Sequence, residues 1–282
     1  MAASRGDWWD WSWNPVYGCS AKSPGCTHCY AVPFTRRIAG RTKDPRIAAT
    51  LGKHHFSGQL HVVEEAIDRP VHWRRPRTIF VCSMTDVGEP EFPQDVWGRM
   101  LNIMLYKATQ HTYLILTKRP DVLRGRFPHR WPERCWVGTS AETQEHFDHR
   151  WEDLRRIDAA TRWVSAEPLL GSIAFEDRGR HPSERSFPRW VVVGVESRGG
   201  KVGRLGLNHQ QDANAYAVAD RVATWYGAAE RTVKSASSVG AAVFVKQIPS
   251  WEHGYGKVLH ARNAEVGRAA WPALLQRWEF PG

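Results

Sequence analysis

Long apolar runs are missing: no stretch of the 282 residues approaches the roughly 20 consecutive apolar residues that a membrane span requires. The opening residues, MAASRGDWWDW, lack the basic-then-apolar layout of a secretory signal, so the expectation is a cytoplasmic protein with no membrane partner. Cysteine is scarce. There are five, and three of them fall within an eleven-residue span, which is a poor basis for a disulfide framework and suits a reducing compartment. No internal repeat of fixed period and no low-complexity tract occurs. A nucleophile triad, a phosphate-binding glycine loop and a paired-histidine helix motif are also absent, which sets aside the common hydrolase, nucleotide-loop and zinc-protease chemistries. None of these patterns fixes an oligomeric state.

What is present is enough for a globular fold. Apolar residues make up 42% of the chain, and this length accommodates one large α/β barrel or two modest domains. Lys and Arg outnumber Asp and Glu by 39 to 29, and a net charge of +10 favours a polyanionic partner such as nucleic acid, although solubility charge has the same composition. The densest positive cluster is HWRRPR at 72–77, a candidate phosphate contact or a solvated loop. Fifteen tryptophans are many for this length. Trp8, Trp9, Trp11 and Trp13 crowd ahead of the cysteines, either to shield a reactive centre or to pack in the core.

The cysteines lie in WSWNPVYGCSAKSPGCTHCY, residues 11–30, as Cys19, Cys26 and Cys29. Gly18, Pro24 and Gly25 let the chain fold back, so one short loop can gather three thiolates around one inorganic centre. Three thiolates leave a tetrahedral zinc one ligand short and leave one iron of a cubane cluster without a protein ligand. His28 sits between Cys26 and Cys29, where joining a closed zinc site is strained. Cys82 and Cys135 fall inside apolar runs and read as buried small hydrophobes. His54 and His55, with no cysteine or carboxylate at ligand spacing, read as a solvated loop.

Downstream, apolar runs of strand length recur: TIFVCSM (78–84), YLILTK (113–118), CWVGTS (135–140), RWVSAEP (162–168), WVVVGVES (190–197) and AAVFVKQI (241–248). Helical stretches are expected at 93–109, 145–157 and 212–229. A shorter one, 31–42, should be interrupted by Pro33 and end near Gly40. Continuous apolar strands alternating with helices imply parallel strands covered on both faces. The fold class expected is therefore α/β, a partial or near-complete parallel (β/α) barrel of six to seven strands spanning 1–248, with 249–282 a C-terminal appendage packed on it.

Each strand run ends in polar residues: Ser83, Thr85 and Asp86; Thr117, Lys118 and Arg119; Ser140 and Glu142; Ser165 and Glu167; Glu196 and Ser197; Lys246 and Gln247. Any buried strand must surface into polar groups, but four carboxylates at carboxyl ends point to a shared site, because that is the face where parallel barrels bind substrate and cofactor. A first strand near 10–14 would place the cysteine loop there too. Lys118, Arg119, Lys246 and Gln247 are candidate contacts for an anionic substrate, or partners for carboxylates. Polar, Gly-rich and Pro-rich segments at 176–189 and after Glu196 read as loops.

A strand, a three-cysteine loop and a parallel α/β array together point to a radical S-adenosylmethionine enzyme. In that chemistry three thiolates hold three irons, and the fourth iron stays open to the cofactor's amino and carboxylate groups. The set WNPVYGCSAKSPGCTHCYA, FVCSMTDV, LILTKRP, WVGTSAET, SAEPLLG, VVVGVES and FVKQ resembles a bacteriophage-associated family of proteins of unknown function related to radical S-adenosylmethionine enzymes. The resemblance covers about residues 10–247 in the same order. It implies a barrel of the radical SAM type, a 4Fe-4S cluster on Cys19, Cys26 and Cys29, and S-adenosyl-L-methionine near Asp86, Ser140, Glu142, Glu167 and Glu196. It further implies an electron donor and a 5'-deoxyadenosyl radical acting on an unnamed substrate, with nucleic acid or a nucleotide favoured by charge. The cysteine gaps here are six and two, against the commoner three and two, and SMTD at 83–86 replaces the usual Gly-Gly-Glu run. The alternative of a different class is a non-catalytic nucleic-acid-binding protein with a structural zinc or iron-sulfur site.

Overall fold

The structure is a computed structural model and describes residues 8–175, 187–195, 215–252, 255–260 and 273–281. It divides into two compact units, Met1–Thr139 with Arg156–Thr161, and Ser140–Arg155 with Arg162–Gly282.

In the first unit β1 (Trp11–Trp13) leads to β2 (Val16–Tyr17), the cysteine loop, α1 (Ala31–Thr42) and α2 (Pro45–Ala49). β3 (His61–Val62) returns antiparallel to β2. Then come β4 (Thr78–Val81), α3 (Gln94–Asn102), β5 (Thr112–Thr117), α4 (Pro120–Arg126) and β6 (Cys135–Ser140). β1, β4, β5 and β6 pair in parallel in that order. In the second unit α5 (Gln144–Leu154), β7 (Arg162–Ala166) and β8 (Trp190–Gly194) precede α6 (Ala215–Ser238), β9 (Ala242–Glu252) and β10 (Tyr255–His260). β7, β8 and β9 are parallel, and β10 turns back antiparallel on β9.

Four parallel strands and three make the seven expected, in the α/β partial-barrel class. Their sequences are mostly apolar because both faces are covered; every residue of β7 and β8 is buried. Burying one Val or Ile side chain contributes about 1.5–3 kcal/mol, so these strands dominate what holds each unit together.

Local departures have local causes. Pro33 does not interrupt α1, because it stands in the first turn, where a backbone N–H has no intrahelical acceptor to lose. The helix passes Gly40 and stops at Lys43, whose φ of 53° is left-handed. The apolar run TIFVCSM yields a strand only to Val81, since Cys82 takes φ 57° and its N–H bonds to the Trp13 carbonyl, turning the chain. α6 continues nine residues beyond the expected end at Ala229, to Ser238. The N-terminal tryptophans pack inward. Trp8 and Trp9 lie against Phe80 at 5.3 and 5.1 Å, Trp11 on Trp73, and buried Trp13 donates from Nε1 to the Ala66 carbonyl.

Candidate metal centre

The cysteine loop begins at a position only glycine fits. Gly18 has φ 100°, and a Cβ there would stand 2.0 Å from the Gln59 carbonyl oxygen. The chain then splits the three thiols between two anchors. Cys19 is fixed through its neighbour: Ser20 donates its hydroxyl to Glu89 at 2.7 Å and its N–H at 3.0 Å. Cys26 ends a single 3-10 turn, Pro24–Cys26, and the Cys29 N–H bonds to the Cys26 carbonyl one turn on. Cys29 packs against a small apolar cluster including Tyr17, Ala31, Ile47 and Met84.

The turn after β4 closes the other side. Asn14, just past β1, accepts from the Ser83 hydroxyl and the Met84 N–H, and Tyr30 donates its hydroxyl to the Ser83 carbonyl. Asp86 accepts from the Gly88 N–H, the Thr117 hydroxyl, the Lys118 N–H and Arg119 Nη1. Arg119 spans the site. One nitrogen is 2.9 Å from Asp86; the other is 3.2 Å from Glu89 and also reaches the Ser20 hydroxyl. Arg119, Asp86 and Glu89 are all buried, so each charge is held by its partners in place of water.

This surrounding treats the thiols differently. Burial pushes Cys19 well above its ordinary value, and Asp86 and Glu89 push it further, so Cys19 is a neutral donor, with Sγ 3.7 Å from Glu89. Burial also raises Cys26, but Lys118 and the N–H groups of Lys22 and Ser23 outweigh it and hold it below the ordinary value. Lys118 is tied by Nζ to the Ser23 hydroxyl at 3.0 Å. Burial raises Cys29. All five cysteines are free, the three of the loop partly exposed and Cys82 and Cys135 buried.

Three cysteines in one loop match an iron-sulfur centre in the number and kind of donors, with Lys118 near Cys26 and Cys29 and Arg119 near Cys19. Among the described residues no three His, Cys, Asp or Glu side chains stand together as a ready-made metal-ion site; Cys19 faces a carboxylate instead.

The remaining candidates lie in the second unit. Glu142 is fully buried, with Arg150 at 2.9 Å and His146 at 3.2 Å, and Arg150 also donates to the Ser140 carbonyl. Glu167 accepts from Lys246 Nζ at 2.6 Å and Gln247 Nε2 at 3.3 Å. Gly194 leaves room for it, since a Cβ there would come within 3.3 Å of the carboxylate carbon. Gln247 is buried and also donates to the Val195 carbonyl, and its Oε1 has no partner among the described residues. Glu196 and Ser197 lie outside the described residues, as do the Gly-rich segment after them and most of 176–189. His54 and His55 are exposed, as a solvated loop requires.

Residues 3–228 match the model of a family described as protein of unknown function (DUF5131). The chain belongs to that family. No curated protein matches this DUF5131 member. A solved structure of a spore photoproduct lyase point mutant aligns over 94% of this chain and 72% of its own, at 9% identity and a TM-score of 0.42. Among the described residues of the DUF5131 chain, no helix is long and apolar enough to cross a membrane.

Glu89, Ser20 and Arg150 are site residues that sequence reading passes over. For Glu89 a signal existed: it stands three residues after Asp86 with Gly88 between, and its N–H bonds to the Asp86 carbonyl in one turn.

Proposed function

We propose that this protein is a cytoplasmic radical S-adenosylmethionine enzyme of phage type, acting on a nucleic acid or nucleotide. Cys19, Cys26 and Cys29 would hold a 4Fe-4S cluster reduced by an electron donor. The observation that carries the reading is the loop itself: three free, partly exposed thiols, one anchored through Ser20 to Glu89 and two beside Lys118. A cluster held there would supply one electron to the sulfonium of S-adenosyl-L-methionine, whose C–S bond would break to release methionine and a 5'-deoxyadenosyl radical.

The protein's own groups have separable tasks. Arg119 and Glu89 position the Cys19 end, and Lys118 favours the thiolate of Cys26. Asp86 and Glu142 are each held by an arginine and serve to position it. Ser140, Glu167 and Glu196 keep the assignment to the cofactor, with Lys246 and Gln247 beside Glu167.

Anaerobic reconstitution with iron and sulfide tests this. The protein should turn brown, bleach with dithionite and release 5'-deoxyadenosine from S-adenosylmethionine, and Cys26→Ala should abolish the release. A colourless protein carrying stoichiometric zinc would overturn the reading in favour of a non-catalytic metal-stabilised protein.

A further inference from the structure

The chain's positive charge is not evenly spread. Residues 21–60 hold seven Lys and Arg against one acid, Asp44, a balance of +6 out of +10 for the whole chain. All seven are exposed. The one acid is already taken, with Arg46 at 2.9 Å.

α1 organises this charge. Ala31, Val32, Thr35 and Ala39 are buried, which turns Phe34, Arg37 and Arg41 outward on one stripe at spacings of three and four residues. Arg37 lies 4.2 Å over the ring of Phe34, which is 39% exposed, so an aromatic surface is presented with a cation against it. Where α1 meets α2 there is an open cleft of about 490 Å³, lined by Arg36, Gly40, Lys43, Asp44, Pro45 and Leu51. Arg36 bonds to the Gly52 and Lys53 carbonyls, which fixes the loop bearing Lys53 beside the helix.

HWRRPR, the densest cluster in the sequence, stands elsewhere. Arg74 and Arg75 are exposed at the amino end of β4, whereas Asp86, Glu89 and the cysteine loop lie past its carboxyl end. α1, by contrast, starts from the loop: the Val32 N–H bonds to the Cys29 carbonyl.

We infer that the outer face of α1 and α2 docks a single-stranded nucleic acid, its phosphates on the basic residues and a base on Phe34. Lys and Arg with a single, already paired acid among them supply the sequence-independent phosphate contacts, and an exposed aromatic beside them supplies stacking, which requires an unpaired base. The inference rests on the nucleic-acid part of the proposed function and not on its radical chemistry.

The test is fluorescence anisotropy of the full-length protein, with and without reconstituted cluster, on labelled single-stranded and duplex DNA across a salt series. Arg37→Gln/Arg41→Gln/Lys53→Gln should flatten the slope of log affinity against log salt by about 2 and weaken binding about tenfold or more at low salt. Phe34→Ala should weaken single-stranded binding about tenfold and leave duplex binding unchanged. Arg74→Gln/Arg75→Gln should change neither. An unchanged slope in the triple variant with wild-type circular dichroism overturns the inference, and so does loss of binding that follows Arg74 and Arg75. Preference for phosphatidylserine vesicles over DNA would assign the face to a membrane surface and overturn it also. Release of 5'-deoxyadenosine is read separately, so the chemistry and the docking face can fail independently.

Discussion

Ser20 gives Glu89 both its hydroxyl and its backbone N–H, at 2.7 and 3.0 Å. Because Ser20 follows Cys19, this pair is where the cysteine loop is fastened to the turn after β4. Every neighbour of the carboxylate is a donor: Ser20 twice, the Cys19 thiol and Arg119. Glu89→Gln keeps the shape but sets an NH2 group against those donors in a buried place. The expected cost is about 2–4 kcal/mol in urea unfolding, since a buried donor is left unpaired and Arg119 loses one of two counter-charges. A variant as stable as wild type would show that the loop is held elsewhere.

Gly18 tests the start of the same loop by another route. Gly18→Ala faces both a left-handed φ of 100° and a Cβ 2.0 Å from the Gln59 carbonyl, which is backbone and cannot swing away. The loop must shift, with an expected loss of about 2–3 kcal/mol. Iron content after reconstitution should fall with it. Gly98 provides the control: it lies inside α3 and a Cβ added there would meet nothing within 4 Å, so Gly98→Ala should stabilise by about 0.5–1 kcal/mol and leave iron content unchanged.

The thiols should also separate by pH in the metal-free protein. Burial raises Cys26, but Lys118 and nearby N–H groups bring it below its ordinary value, so its thiolate persists to lower pH than a free thiol allows. Iodoacetamide should therefore label Cys26 first, with a rate that falls only below the usual thiol range. Cys19, raised by burial and by Asp86 and Glu89, should label slowly at neutral pH. Lys118→Met removes the lowering charge and should move the Cys26 profile upward, slowing its labelling at pH 7 severalfold. Peptide mapping that finds Cys19 labelled before Cys26 contradicts this ordering.

The strands were legible because burial on both faces leaves a plain trace, a short run dominated by apolar residues, and β4 to β8 start where those runs start or one residue before. The hairpin of β2 and β3 was not, since two-residue strands are too short to show alternation. Pro33 misled because a proline's effect depends on its position in the first turn, which only the helix start defines. That Cys19, Cys26 and Cys29 share one loop is plain from their spacing. The partners that hold them were not legible, because Ser20, Glu89 and Arg119 meet across separations of 69 and 99 residues, which no local pattern records. For HWRRPR the sequence leaves a phosphate contact and a solvated loop both open; density along the chain is not proximity to a site, and only the direction of β4 shows which end it occupies.

Lys246 and Glu167 supply the last test, because their 2.6 Å contact bears on what Glu167 is free to do. Both side chains are mostly buried, at 14% and 16% exposure, and Gln247 donates to the same carboxylate oxygen. Lys246→Met removes the counter-charge and leaves a largely buried carboxylate, so it should cost about 2–3 kcal/mol. Glu167→Gln alone takes this carboxylate charge away from the Lys246 ammonium and should also be destabilising. Combined, the two changes remove both charges, and the double variant should be less destabilised than the sum of the singles by about 1–2 kcal/mol. Strict additivity in urea unfolding would mean that the pair is not coupled and that Glu167 can receive a ligand without displacing Lys246. The expected coupling means that any ligand donating to Glu167 must compete with Lys246. Lys246→Met should then tighten binding of a cationic donor such as the S-adenosylmethionine ammonium while lowering stability, a pairing of opposite effects that simple loss of folding does not produce.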